Sequence, residues 1–389
     1  MKNKISYIIM TSCFLIFIFG FVIAGLVSKD RDFSETENRI LAQFPEFSWK
    51  RVKSGQYTSD LESYMSDQIF MKDQLVSLKV DADRLILKNY QNGIYFAKDG
   101  YIIQDYQENT ELIKKNVDCL NSLADTVGEQ AQMTFMLVPN AVSVMENKLP
   151  TANQSDNQLD SIDFVRNNLS SKINFYCPYE ELKNAVTNGT QVFCRTDHHW
   201  TPEGAKIGFD GLMKSMNESI PDVNYDIETL KEFYGTLYSK APSAFTRSDN
   251  INLYTNPLNK ITVTYSGSSG DNSKLTEQSG IKLDSLFVDE FKTQKDKYKT
   301  FLGGNFDLLN IESQGESDEK VLIIKDSYAN CTMPYFADKY KHITVMDMRY
   351  YHMEELSVSE YIKQNKIDKI IFLYNMDFVN TDNNFGWIE

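Results

Sequence analysis

The sequence lacks the features that nucleic-acid and metal-binding proteins depend on. Lys and Arg number 40 against 54 Asp and Glu, giving a net charge of −14 and a pI near 4.9. No basic footprint exists for a polyphosphate, which excludes nucleic acid as a partner. Histidine is scarce, with four in 389 residues. The five cysteines (Cys13, Cys119, Cys177, Cys194 and Cys331) stand far apart, with no CxxC pair and no zinc-ligand spacing. They read as free thiols, with a Cys177–Cys194 disulfide left open, and no metal or cofactor is expected. Internal repeats are also missing. Aromatics, by contrast, are plentiful, with 24 Phe and 22 Tyr; most belong to a core, and a surplus of Tyr also suits a carbohydrate-facing groove.

Charge is missing altogether between Ile5 and Val27, a run rich in Ile, Phe, Val and Leu. As a helix it reaches about 34 Å, enough to cross the hydrocarbon core of a bilayer. Lys2 and Lys4 precede it, so the positive-inside rule keeps the N-terminus cytoplasmic and exports the rest. A cleaved leader ending near Val22-Ile23-Ala24 is the alternative; the length of the run favours a retained, single-pass anchor.

Beyond the anchor three segments are expected: residues 1–28 as cytoplasmic tip and anchor, 29–108 as a helical and hairpin segment, and 109–389 as an α/β domain. The apolar spacing from Tyr57 to about Tyr90 predicts a helix. Gly93 to Ile103 predicts a hairpin turning at Asp99-Gly100. Met133–Val138 is a continuous apolar run that ends at Pro139-Asn140, the mark of a buried parallel strand with a loop at its C-terminal end. Further strands are expected at Asn174–Tyr176, Gln191–Cys194, Val321–Lys325, His342–Met346 and Lys369–Tyr374. Helices are expected over 109–123, 161–170 and 358–363, and from Pro202 to about Met216, with Thr201 as N-cap. The alternation predicts a three-layer α/β domain on a mainly parallel sheet. Residues 218–300 are the least regular, with short strands expected at Ile261–Tyr265 and Ile281–Phe287, and read as an insertion into the sheet domain that selects substrate or partner.

Two stretches carry chemistry. Arg195-Thr196-Asp197-His198-His199-Trp200 places an acid beside two imidazoles directly before a helix. Such a pair can be the orienting half of a catalytic triad, the carboxylate fixing the tautomer while the other ring nitrogen faces a nucleophile. His199 is taken as the base and His198 as a supporting group; the plainer alternative is a polar turn capping the helix. The nucleophile is Ser327, which follows the apolar strand Val321–Lys325 where α/β enzymes expose one. The alternative for Ser327 is a helix cap, the role assigned to Asp326. The Ser327 amide, Asn330 and Asn305 are candidate oxyanion donors, with Asn305 equally readable as a turn residue. Arg349 follows a strand end and either faces the same crevice or forms a surface ion pair. Tyr328 completes the candidate contacts. An Asp-His-His metal site would need further ligands from His342, His352 or unassigned carboxylates, and is set aside.

With these residues in view, the chain resembles the DHHW family, named for the Asp197–Trp200 tetrapeptide and related to SGNH-hydrolase-like O-acetyltransferases of bacterial exopolysaccharide (alginate-type) systems. The resemblance rests on Glu37-Asn38-Arg39, Lys98–Tyr101, Val138–Asn140, Thr196–Ala205, Phe301–Asn305 and Lys325–Asn330. It implies a triad of Ser327, His199 and Asp197 on an SGNH-like fold in permuted order, since the serine follows the Asp-His pair. Asp-x-His spacing agrees with the acetylating branch. Lys325 stands where a Gly-Asp-Ser block has glycine, so that block's oxyanion assignments do not carry over. No carbohydrate-binding domain is expected after Asn375. The expectation is therefore a membrane-anchored extracytoplasmic O-acetyltransferase acting on a cell-surface polysaccharide through an acyl-serine, with a membrane-bound O-acyltransferase supplying the acetyl group. A polysaccharide acetyl esterase and a silent glycan-binding scaffold are the alternatives.

Overall fold

The computed structural model describes residues 2–267, 269–351 and 356–388; His352 lies outside them. By internal contacts the chain forms two units, one of residues 1–88 with Tyr238–Phe245 and one of Asn89–Leu237 with Thr246–Glu389. The division falls at 88/89 rather than 108, so the hairpin belongs with the larger unit.

In the smaller unit, α1 (Lys2–Val27) is a single helix. Within its Lys4–Val27 stretch the mean hydropathy over 18 residues reaches 2.5, and the stretch is long and apolar enough to cross a membrane. The single helix expected after it is two, α2 (Gln56–Asp67) and α3 (Lys72–Leu85). Met71 breaks them by taking left-handed backbone, φ 55°. The break leaves Asp67 at a helix end, where Arg39 Nη1 (2.8 Å), the Ala42 amide (2.9 Å) and Lys72 Nζ (3.1 Å) all donate to its carboxylate. The Glu37-Asn38-Arg39 motif thus ties the chain leaving α1 to the helix pair.

The larger unit opens with the expected hairpin, β1 (Ile94–Phe96) and β2 (Ile102–Gln104), turning at Asp99 and Gly100, both at positive φ. In α4 (Thr110–Val127), Asn109 caps the first turn and Ile113, Val117, Leu120, Ala124 and Val127 form one buried stripe, the spacing of a helix laid on a sheet. The strands β3 (Gln132–Val138), β4 (Ile173–Tyr176), β7 (Thr262–Tyr265), β8 (Ile281–Leu283), β9 (Leu308–Glu312), β10 (Ser317–Lys325), β11 (Tyr340–Met346) and β12 (Lys369–Asn375) build one eight-stranded sheet in the order β8-β7-β9-β11-β10-β12-β3-β4. From β11 to β4 all neighbours are parallel; β8, β7 and β9 extend the edge antiparallel. A separate ribbon pairs β5 (Asp226–Phe233) with β6 (Asp249–Thr255).

This is the expected α/β class, with two differences. The short strands expected within 218–300 are present at 262–265 and 281–283, but they form the edge of the sheet itself rather than an insertion into the domain. Gln191–Cys194 is not a sheet strand; it makes one bridge, Phe193 to Trp200, across its own loop. Its apolar residues are buried because they lie under the helix that follows, α5 (Pro202–Ser215), where Thr201 caps and Pro202 starts as expected. At Gly204 a Cβ would stand 2.3 Å from the Val192 carbonyl oxygen, so only glycine lets the helix approach this loop so closely. All five cysteines are free thiols.

Candidate active site

The sheet delivers its chemistry at the C-terminal ends of its parallel strands, where open α/β folds place crevices. β10 runs Val321–Ile324 through the core and ends at Lys325; Asp326 and Ser327 follow. β3 ends at Val138 just before Asn140, β12 ends at Asn375, and Asp347 follows β11. Asp326 accepts from the Tyr328 amide at 2.8 Å and from the Asn375 amide and side chain, both at 2.7 Å. It caps the 3₁₀ turn Ser327–Thr332 and links two strand ends, the capping role expected for it.

Asp197 and His199 approach from the loop before α5. Both are buried. Asp197 Oδ1 lies 2.5 Å from His199 Nδ1 and also accepts the His199 amide at 3.0 Å. Its Oδ2 accepts the Thr236 amide at 2.7 Å and the Thr236 hydroxyl at 3.1 Å. Burial works to raise this carboxyl, but the two imidazoles and the Thr236 amide outweigh it and hold it well below the usual carboxylate range. An ionised Asp197 makes Nδ1 the protonated nitrogen of His199, so Nε2 is the acceptor. That Nε2 lies 2.7 Å from Ser327 Oγ.

The ring is held from its face as well. Tyr298 stacks on His199 with centroids 3.7 Å apart and planes at 11°, and its hydroxyl donates to the Ser327 carbonyl at 2.9 Å. Trp200, fully buried, donates its indole N–H to the Tyr328 carbonyl at 2.8 Å. Tyr328 donates its hydroxyl to the His198 carbonyl and accepts from Asn140 Nδ2 at 2.9 Å. The His-His-Trp and Ser-Tyr stretches, 128 positions apart, are therefore bonded to one another in both directions.

A cavity of about 140 Å³ opens beside Ser327, with His198, Asn140, Gln158, Arg349, Asn375 and Phe378 among its walls. Arg349 grips Asp347 with two nitrogens, at 2.9 and 2.6 Å. Lys325 Nζ, buried, reaches the same carboxylate at 3.3 Å. Burial would lower the Arg349 guanidinium, but the paired contact with Asp347 raises it, so it stays a fixed cation at the wall. Arg349 is thus in an ion pair with the buried Asp347, not with a partner on the surface, and it lines the cavity.

Asn305 and Asn330 are placed elsewhere. Asn305 donates its side-chain amide to Asp271 at 2.9 Å and accepts from Lys325 at 2.7 Å. Asn330 Nδ2 is bonded to the Gly304 carbonyl at 3.3 Å and Asn305 Oδ1 at 3.1 Å. Neither lines the cavity; Asn305 ties the 303–305 turn to Lys325 at the end of β10 and Asn330 ties it to the 3₁₀ turn that follows, so they are not presented as oxyanion donors. The Ser327 amide opens its 3₁₀ turn, the position in a turn where an N–H has no partner within the helix. Asp197, His198 and His199 also bring possible metal-ligand atoms within 4.8 Å of one another. Here the Nδ1 atoms and the carboxylate are hydrogen-bonded to each other and to Thr236, and His199 Nε2 to Ser327. Thr236, Tyr298 and Asp347 went unread in the sequence because no local pattern marks them.

Residues 91–346 match the family described as DHHW protein. The chain belongs to the DHHW family. Among solved structures it is similar to a DHHW family protein from Eubacterium siraeum, at 25% identity and a TM-score of 0.64 over 77% of this chain and 95% of that one. It also shares the fold of Bacillus cereus PatB1, at 21% identity and a TM-score of 0.61 over 74% and 97% of the two chains. A curated relative, the probable alginate O-acetylase AlgJ of Pseudomonas fluorescens, is 24% identical over 177 residues, or 44% of this chain and 45% of the relative. The chain thus spans less than half the length of that protein. The DHHW match takes in Asp197, His198, His199 and Ser327, while the cavity walls from Arg349, Asn375 and Phe378 lie beyond it.

Proposed function

We propose that this DHHW chain is a membrane-anchored extracytoplasmic O-acetyltransferase that esterifies hydroxyls of a cell-surface polysaccharide, with Ser327 as nucleophile, His199 as base and Asp197 as its orienting carboxylate. The observation that carries the reading is the unbroken line Asp197 Oδ1–His199–Ser327 Oγ, 2.5 and 2.7 Å long, ending at a cavity. Similarity to a probable alginate O-acetylase supports the substrate class, and α1 supports the anchor.

In the first half-reaction Ser327 Oγ gives its proton to His199 Nε2 and bonds to the acetyl carbon. The donor's bond to that carbon breaks, and its departing group takes the proton from His199. In the second, a sugar hydroxyl gives its proton to Nε2 and attacks the ester. The bond from the acetyl carbon to Ser327 Oγ breaks, and Oγ recovers the proton. The Ser327 amide is our candidate for the oxyanion, with Arg349 fixing the acceptor or the developing charge from the wall. A membrane-bound O-acyltransferase supplies the acetyl group from the cytoplasmic side.

The test is full-length protein in detergent with 4-nitrophenyl acetate, alongside Ser327→Ala and His199→Ala. Release by the parent, at least about 10³-fold slower in both variants, with one acetyl on a Ser327 peptide, is the expected result. Added oligosaccharide then becomes acetylated; acetate alone would favour the esterase. Equal background release from all three proteins, with no adduct, would favour the glycan-binding scaffold.

A further inference from the structure

His198 is not used by the chemistry above, yet it is held with the same care as His199. Its ring lies 3.9 Å from that of His199, tilted by 37°, and its Nδ1 is 2.7 Å from the Thr236 hydroxyl. That hydroxyl has one proton, and it faces Asp197 Oδ2 at 3.1 Å. Two oxygens at that separation need the proton between them, so Thr236 donates to Asp197 and accepts from His198. His198 therefore carries its proton on Nδ1 and presents Nε2 as an acceptor, the same tautomer as His199. One carboxylate orients both rings, directly for His199 and through a threonine for His198.

The two Nε2 atoms have different occupants. That of His199 bonds Ser327 Oγ. That of His198 has no hydrogen-bond partner among the described residues; the ring lines the cavity, with a third of its side chain exposed. Desolvation and the neighbouring His199 push the His198 imidazole down to about 4, so it stays an acceptor through the neutral range.

We propose that His198 and His199 together form a subsite for a vicinal diol: the hydroxyl to be acylated gives its proton to His199 Nε2, while the hydroxyl on the adjacent carbon donates a hydrogen bond to His198 Nε2. This rests on the acyl-serine reading above. Once Ser327 is esterified its oxygen has no proton to give, and the His199 acceptor is released for the incoming hydroxyl. Two acceptors on adjoining rings then match two hydroxyls on adjoining carbons. His198 takes no proton and is a positioning residue. The acceptor class that follows is a sugar unit with an unsubstituted 1,2-diol, rather than an isolated hydroxyl.

Full-length protein in detergent, with 4-nitrophenyl acetate as donor, is offered trans-1,2-cyclohexanediol or cyclohexanol, and the acetylated alcohols are quantified. The native chain is expected to prefer the diol by roughly 3- to 10-fold, the worth of one neutral hydrogen bond. His198→Asn keeps an amide where Nδ1 bonds Thr236 but removes the Nε2 acceptor, and the ratio falls to near one whatever the absolute rates do. His198→Gln, whose amide reaches the Nε2 position, restores part of the preference. No preference in the native chain, or an equal loss for both alcohols in His198→Asn, overturns the proposal. Saturation-transfer NMR of the same two alcohols on Ser327→Ala protein needs no turnover. Diol binding that His198→Asn abolishes supports the subsite even if ester turnover fails, a failure that would count against the acyl-serine reading alone. Equal binding of diol and cyclohexanol overturns the subsite.

Discussion

Asp197 is fixed by four hydrogen bonds divided between its two oxygens, so its position and its ionised state are determined together. Asp197→Asn keeps the volume but sets an amide N–H against His199 Nδ1–H or forces the other tautomer, which points a proton at Ser327. The expected result is a fall in kcat for 4-nitrophenyl acetate of about 10³- to 10⁴-fold with KM little changed, measured by steady-state kinetics. Gly235 tests the position alone. A Cβ there would stand 2.1 Å from Asp197 Oδ2, so Gly235→Ala must displace the carboxylate. A displacement near 1 Å costs about 10²-fold in rate; full activity in that variant would show that Asp197 does not align the base. At this scale the acid and the imidazole were legible because they stand two positions apart. Thr236, Tyr298 and Asp347 were not, since their roles exist only once distant segments meet.

Trp200 joins elements: its ring lies in the core and its N–H satisfies the carbonyl of Tyr328 in the turn that carries Ser327. Trp200→Phe leaves that carbonyl short of a donor and a space beside it. The expected loss is about 1–3 kcal/mol in urea unfolding, with a slower ester turnover because the histidine loop and the serine turn are no longer tied. In the smaller unit Asp67 has the matching part. Arg39 above all, with the Ala42 amide and Lys72, holds its carboxyl well below the usual range. A carboxyl depressed on folding contributes stability that is full above the unfolded value of about 3.9 and is lost as pH falls toward the folded one. Hydrogen exchange in residues 31–42, corrected for intrinsic rates, should therefore accelerate below about pH 4. In Asp67→Asn it should already be fast at neutral pH; protection unchanged at both would refute the tie. Elements with uniform apolar runs, such as β3, β10 and β12, were readable because a strand covered on both faces has no polar side. Gln191–Cys194 misled because an apolar run under a helix has the composition of a strand without a neighbour to pair with. The helix expected over 57–90 failed at Met71, whose left-handed backbone no helical periodicity reveals.

For the whole molecule, the question is where it resides. If α1 is a retained anchor, protein made in cells stays with membranes after carbonate washing. Its intact mass then includes the first 28 residues, and external protease reaches the larger unit. A mature N-terminus just after Ala24 would instead make α1 a leader. The sequence by itself determined the anchor-length helix, the α/β class and the candidate serine and Asp-His pair. These follow from composition, periodicity and short-range spacing, which a linear chain already contains. Only the tertiary structure decided that His199 Nε2 meets Ser327 and that Asn305 and Asn330 are engaged away from the cavity. It alone placed Arg349 at the wall on a carboxylate shared with Lys325, and set the second histidine beside the first. Those relations depend on strand order and on which hydrogen-bond donors remain after backbone and side chains have paired. Both are settled by the packing of distant segments.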